Sequence, residues 1–237
     1  MPCCLDTFPT MCGRFSLSTP ADIIARFFNL VAVPKLKPRY NIAPTQDCPV
    51  VRFDAETKQR SLDMLHWGLI PSWAKDNAIG NRMINARSET AAEKPSFRSA
   101  MKARRCIIPA DGFFEWKKNG KSKRPYFIFR ADRSLLAFAG LWESWNDPTD
   151  GVIESFTILT TSPNEQMREL HDRMPVILEP EEFATWLDPD TEDAAALAPL
   201  LDPAPDGILS FHAVSTRVNK PQNDEASLIE PENNLFE

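Results

Sequence analysis

Arg105-Cys106-Ile107-Ile108-Pro109, Ala110-Asp111-Gly112 and Phe113-Phe114-Glu115-Trp116 form one unbroken run in the middle of the chain. The run reads as strand, turn, strand. Adjacent isoleucines and clustered aromatics favour extended backbone, and Asp-Gly supplies the turn. Working outward, Tyr126–Arg130, Leu135–Leu141 and Ser155–Thr160 read as further strands. Upstream, Pro49–Phe53 and Ser61–Trp67 are strands joined by a polar turn at Asp54–Arg60, and Gly13–Ser18 and Leu209–Val214 are short outer strands. Helical periodicity is sparser. Thr19-Pro20-Ala21-Asp22 reads as a helix start with Thr19 as cap, and Ile23, Ile24, Phe27 and Phe28 give that helix one apolar face. Ser96–Ala103, Asn164–Leu170, Glu181–Leu187 and Ala194–Leu200 are the other helical segments; Pro34–Pro44 reads as loop and Gln222–Glu237 as irregular. Many short strands with a few helices give an α+β class, mainly antiparallel.

At 237 residues with 43% apolar content the chain can bury a full core. No run approaches the ~18 consecutive apolar residues a membrane helix needs. Residues 1–10 show no basic segment followed by an apolar one, so neither a signal peptide nor a membrane partner is expected. Five scattered cysteines, without a CxxC pair or Cys/His ligand spacing, argue against a disulfide framework and against a metal site. The reading is a reduced, cytoplasmic protein with no cofactor.

The net charge of −6 hides an asymmetry. Asn81–Arg130 holds 13 basic and 4 acidic residues, whereas Glu179–Glu237 holds 2 basic and 14 acidic ones. A basic middle on an acidic body suggests one polyanion-binding face. Lys117–Arg124 taken alone reads as a solvated charge run.

Met11-Cys12-Gly13-Arg14-Phe15 carries distinctive chemistry. A Met before a small residue is a substrate for aminopeptidase trimming, so translation from Met11 would leave Cys12 as the N-terminus. Its α-amine, with an ordinary pKa near ~8, and its thiol stand on adjacent carbons. Together they can trap an aldehyde as a Schiff base and then as a five-membered thiazolidine. The alternative is a buried structural cysteine at the start of a strand.

Four short motifs stand beside it: Asn-Ala-Arg-Ser-Glu-Thr at 85–90, Asp-Gly-Phe-Phe-Glu-Trp at 111–116, Trp-Gly-Leu-Ile-Pro-Ser-Trp at 67–73 and His-Asp-Arg-Met-Pro at 171–175. With Met-Cys-Gly-Arg-Phe at 11–15 and Ala-Gly-Leu-Trp-Glu at 139–143, the chain strongly resembles the SOS-response-associated peptidase (SRAP) family. Members crosslink covalently to abasic sites in single-stranded DNA. Each motif alone is weak; six in register over nearly the whole chain are specific. The expectation is a single domain over 11–237, its mainly antiparallel strands in a barrel-like sheet with peripheral helices. Residues 1–10 are expected to be disordered or absent from the mature protein. The family's Cys follows the initiator Met, so here either Met11 is the start or the extension is removed by proteolysis.

The resemblance implies a catalytic set of Cys12, Asn85, Glu115 and His171. An abasic deoxyribose must open its ring before C1′ can be attacked, which needs a general acid/base. Glu115 among aromatics would be partly desolvated, raising its pKa toward neutrality. The family's matching Glu assists proton transfer around Schiff-base formation. His171 can move protons at physiological pH, and its family counterpart serves ring opening and crosslink reversal. Asn85 offers a neutral donor and acceptor, which the resemblance sets beside the N-terminal Cys. Arg14 and Arg87 suit the phosphates flanking the lesion, and Arg173 is expected to help. Trp67, Trp73 and Trp116 are candidates for stacking on bases or for core packing; Thr160 is a candidate phosphate or sugar contact. His66, His212, Trp142 and Trp145 read as structural.

The expected partner is therefore single-stranded DNA with abasic sites, bound by a monomer associated with damaged DNA in the nucleoid, with a lyase side activity. Two rivals remain: a thiol autopeptidase or peptidase using Cys12, Glu115 and His171, and a non-covalent single-strand-binding module.

Overall fold

The computed structural model describes residues 12–120, 122–149, 151–191 and 194–232. The expectation for residues 1–10 lies outside the described residues, as does Met11.

The strands are β1 Phe15–Leu17, β2 Arg39–Ile42, β3 Asp47–Asp54, β4 Gln59–Trp67, β5 Asn85–Arg87 and β6 Arg105–Ala110. There follow β7 Gly112–Asn119, β8 Ser122–Arg130, β9 Leu136–Asp147, β10 Gly151–Thr161, β11 Met174–Pro175 and β12 Leu209–Ala213. The helices are short and lie between strands: α1 Ala21–Phe28, α2 Ser88–Ala91, α3 Arg98–Ala103, α4 Glu165–Arg168, α5 Phe183–Leu187 and α6 Ala194–Leu197.

Two sheets carry the architecture. β10, β4, β3, β6 and β9 pair in sequence, and β9 pairs back onto β10, closing a five-stranded barrel. β5 and β11 attach to β10 beyond the barrel. The second sheet has the order β12-β8-β7-β1-β2 and is antiparallel throughout. Only β10–β4 and β10–β5 are parallel among the described strands. The α+β, mainly antiparallel, barrel-like reading holds.

The central run makes the joint between these sheets. β6 and β7 do not pair with each other: β6 belongs to the barrel and β7 to the open sheet. Asp111 is the corner. Its carboxylate accepts from the Ser18 amide and hydroxyl at 2.5 and 2.7 Å, and from the Thr19 amide and hydroxyl at 3.3 and 2.6 Å. Gly112 is required by close approach, because a Cβ there would lie 2.4 Å from the Ile128 carbonyl oxygen. Thr19 therefore does not cap α1 as expected; its hydroxyl is spent on Asp111. The Pro20 carbonyl accepts the first helical bonds from Ile23 and Ile24 instead. Ile23 is also exposed, and α1 buries Ile24, Ala25 and Phe28.

An aromatic seam joins barrel to sheet. Phe15 of β1 packs 5.1 Å from Trp67 and 6.4 Å from Phe138, ring centre to ring centre, and Phe113 of β7 lies 5.8 Å from Phe138. Trp67 is fully buried, and its indole N–H donates to the Ile84 carbonyl at 2.9 Å. It has no face to offer a base. The stacking expectation is corrected to core packing.

The opposite face of the open sheet carries Phe114, Phe127 and Phe129, covered by Val214, Val218 and Leu228. This apolar face explains why the acidic C-terminal segment is anchored rather than merely irregular. Asp224 accepts from the Asn41 amide at 3.0 Å and pairs with Arg39, satisfying the outer edge of β2. Arg39–Ile42, expected as loop, is thus a strand paired to β1 and edged by a carboxylate.

Candidate active site

The register of β1 against β7 brings Cys12 to Glu115. Phe15 pairs with Phe113, and the Phe114 amide donates to the Arg14 carbonyl at 3.0 Å, so the chain before β1 runs back along β7. The Cys12 backbone nitrogen then donates to Glu115 Oε1 at 2.7 Å across 103 residues of sequence. Both residues are buried, at 2% relative exposure each. Cys12 sits at φ 48°, a left-handed conformation costing about 1–2 kcal/mol in a residue with a Cβ.

Burial and bonding set the electrostatics of this pair. Desolvation raises Glu115 to about 7, opposed by hydrogen bonds from Cys12 and from the Trp116 backbone, and Asp172 raises it further. The Cys12 thiol lies well above its ordinary range because it is buried and faces Glu115. Before a substrate arrives, Cys12 is a thiol and Glu115 is poised to exchange protons near neutrality.

His171 follows α4 and lies in a groove of about 560 Å³ lined by Trp116, Lys117, Lys118, Lys123, Glu169 and Asp172. Desolvation lowers its pKa, Asp172 opposes this, and Lys118 and Lys123 lower it further. Its Nδ1 lies 3.2 Å from the Arg173 amide and 2.8 Å from Asp172 Oδ1. The amide needs a bare Nδ1 and the carboxylate needs a protonated one. A bare Nδ1 serves the Arg173 amide, whereas an Nδ1 that carries a proton, in the neutral tautomer or in the imidazolium, serves Asp172.

Asn85 and Arg87 begin and end β5, which runs parallel to β10 with Asn85 opposite Ile158 and Arg87 opposite Thr160. Arg87 is exposed. Thr160 is buried, and its hydroxyl donates to the Ala86 carbonyl at 3.3 Å, so the expected phosphate or sugar contact is replaced by a bond that ties β10 to β5. Arg173 grips Glu89 through both terminal nitrogens and donates to the Thr160 carbonyl at 2.6 Å. Its guanidinium is committed to the protein's own groups. Arg14 is similarly held, by Asn41 Oδ1 at 2.9 Å and the Val218 carbonyl at 2.6 Å, and stands 6.0 Å from the Trp116 ring centre. The half-buried Trp116 donates its indole N–H to Asn219 at 2.8 Å, whereas Trp73 is 56% exposed.

Sequence reasoning missed Asp111, Asp172 and Asn219, and it read Lys118 and Lys123 as solvated. Asp111 and Asp172 each stand inside a recognised motif, Asp111 as a turn residue, but nothing local marks the partners through which they act; nothing local marks Asn219.

Against known proteins, the family model described as SOS response associated peptidase (SRAP) matches residues 11–221. The chain belongs to that family. It is 46% identical over 224 residues to the abasic site processing protein YoqW of Bacillus subtilis (strain 168), covering 93% of this chain and 99% of that one. It is 32% identical over 219 residues to the abasic site processing protein HMCES of Xenopus tropicalis, covering 80% of this chain and 65% of that protein. An X-ray crystal structure of a protein from Bacteroides thetaiotaomicron superposes with a TM-score of 0.84 at 28% identity, covering 93% of this SRAP chain and all of the other. No helix among the described residues of the SRAP chain is long and apolar enough to cross a membrane.

Proposed function

We propose that this SRAP protein processes abasic sites in DNA by condensing the Cys12 α-amine and thiol with the sugar aldehyde, shielding the lesion as a covalent crosslink. The observation that carries the reading is the 2.7 Å contact between the Cys12 nitrogen and Glu115 Oε1 in a buried site. The names of the curated relatives supply the lesion.

The chemistry requires the peptide bond before Cys12 to be cut. The liberated amine, ordinarily titrating near ~8, then meets a carboxyl that burial raises to about 7 while Cys12 is in peptide linkage and that the new ammonium draws back down. Glu115 is the carboxylate within hydrogen-bond reach of that nitrogen, so the ammonium passes its proton there and becomes nucleophilic. The amine attacks C1′ of the opened sugar, Glu115 returns the proton to the carbinolamine oxygen, and water leaves to give a Schiff base. The Cys12 sulfur adds to the C=N carbon while the thiol proton passes through Glu115 to the ring nitrogen. The balance is aldehyde plus aminothiol giving thiazolidine plus one water. His171 at the groove supplies and receives protons during sugar-ring opening, and Arg87 is an exposed cation for a flanking phosphate. Single-stranded DNA as substrate, a monomeric state and a lyase side reaction by β-elimination from the Schiff base belong to the same proposal.

The rival thiol peptidase would use the same buried thiol, which burial and Glu115 hold protonated at rest, and it predicts peptide cleavage without DNA and activity that survives N-acetylation. The test is a denaturing gel of protein beginning at Cys12 with single-stranded DNA bearing one abasic site. A shifted band is expected, absent for Cys12→Ala, for N-acetylated protein and for intact DNA. A band that survives N-acetylation would refute the thiazolidine.

A further inference from the structure

The β7–β8 hairpin places like charges directly opposite one another on two successive rungs. Lys117 pairs with Arg124 and Lys118 with Lys123. Opposed side chains on neighbouring antiparallel strands have Cβ atoms about 4.5–5.5 Å apart, and like charges there are destabilising. The first rung has local relief: Lys117 lies 4.0 Å from Glu169, and Arg124 lies 3.1 Å from Glu232. The second rung has none, since neither Lys118 nor Lys123 has an acidic partner among the described residues. Both lysines line the same groove as His171 and Trp116. Of the groove's two acids, Glu169 lies 4.0 Å from Lys117 and Asp172 lies 2.8 Å from His171 Nδ1, and neither is paired with Lys118 or Lys123. What remains is a pair of cations without an acidic partner among the described residues, Lys118 on β7 and Lys123 opposite it on β8, both facing the groove that His171 lines.

We propose that Lys118 and Lys123 form a phosphate-binding rung for the DNA strand leading away from the lesion, and that a phosphate seated there sets the protonation of His171. This rests on the proposed function for the identity of the polyanion and goes beyond it in naming a contact and a coupling.

The coupling follows from the groups facing the imidazole. Asp172 is its neighbour in the chain, Glu169 ends the α4 segment, Lys117 and Lys118 come from β7, and Lys123 comes from β8. Lys118 and Lys123 disfavour the imidazolium, and Asp172 favours it. A phosphate on the rung offsets one of the two lysine charges, which leaves burial as the main opponent of Asp172 at the imidazole. Nδ1 then takes a proton, exchanging the Arg173 amide for the Asp172 carboxylate, and His171 becomes a stronger reserve of acid when DNA is present. The site thus arms its proton donor on docking.

Two readouts on undamaged oligothymidylate test this without any crosslinking. For the Lys118→Gln/Lys123→Gln double variant, the slope of log affinity against log salt should become shallower by about 0.7, the value for one phosphate contact on a single strand. Removing a repulsive rung should leave the urea midpoint unchanged or raise it, which separates the effect from misfolding. By NMR, with the ring assigned using His171→Asn, the wild-type His171 titration should move upward on adding the oligonucleotide. In the double variant it should already be raised without DNA and should move less on binding. An unaltered salt slope would overturn the rung, and a titration indifferent to the two lysines would overturn the coupling. If the slope changes yet neither protein crosslinks to abasic DNA, the proposed function fails and the rung stands.

Discussion

Cys12 and Glu115, 103 residues apart in sequence, meet through the backbone nitrogen of one and the carboxylate of the other at 2.7 Å. The contact depends on the strand pairing that precedes it: β1 lies on β7, and the Asp111 corner fixes where β7 begins. Cys12 itself lies in a turn before β1, so the β1–β7 pairing carries that turn to Glu115, an arrangement that suits the proposed reaction, which needs two nucleophiles and a proton carrier in one place.

Glu115 should make stability depend on pH in protein whose Cys12 is still in peptide linkage. Its pKa is raised from an ordinary 4.5 to about 7, so the native state holds the proton more tightly than the unfolded chain. This contribution is fully present below the unfolded value and is lost as pH rises through 7, amounting to about 3 kcal/mol. Urea midpoints should fall between pH 5 and pH 8 for wild type and stay flat for Glu115→Gln. In protein beginning at Cys12 the fall should be smaller, because an ammonium beside the carboxylate favours its charged form.

The same Glu115→Gln variant, begun at Cys12, should lose about 10²–10⁴-fold in crosslinking rate, the usual range for a positioned acid/base. Its affinity for undamaged DNA should be unchanged. Single-turnover rates and a non-covalent binding curve separate the two.

Asp111→Ala should destabilise the fold by about 2–4 kcal/mol, since four donors from Ser18 and Thr19 lose a charged acceptor. Chemical denaturation measures this. Crosslinking should slow even where the variant remains folded, because β1 would no longer be pinned opposite Glu115.

The tryptophans should divide sharply. Trp67→Ala should cost about 3–5 kcal/mol of stability, as for other large buried aromatics. Trp73→Ala should leave stability within about 0.5 kcal/mol while weakening single-strand binding by about 1–3 kcal/mol if the ring stacks on a base. Thermal melts and fluorescence titration distinguish the two.

Arg87 and Arg173 should part in the same way. Arg87→Gln should flatten the salt dependence of single-strand binding by about 0.7 without loss of stability. Arg173→Gln should lower the melting temperature instead, because its guanidinium bridges Glu89 and the Thr160 carbonyl.

The strands of the core were legible because adjacent isoleucines, aromatics and Gly/Asp turns are local signals, and the Arg105–Trp116 run carries them densely. Which strands pair was not legible: the corner at Asp111 divides two sheets through bonds to Ser18 and Thr19, some 90 residues away. Arg39–Ile42 read as loop because its edge is satisfied by Asp224 rather than by a strand. Cys12 and Glu115 could be chosen from chemistry and resemblance, and the fold brings them together. For Trp67 the sequence left stacking and core packing open because a motif marks a position without saying which way its side chain points, and the inward turn of Thr160 toward the Ala86 carbonyl depends on a strand remote in sequence. Lys118 and Lys123 look solvated in sequence because the opposition of their charges exists only in the hairpin register.

The most direct measurement is the intact mass of the adduct between protein beginning at Cys12 and an abasic oligonucleotide. A thiazolidine predicts the sum of the two masses less one water, with no gain on borohydride treatment. An adduct that gains two hydrogens under borohydride would be an open Schiff base, and no adduct at all would contradict the account outright.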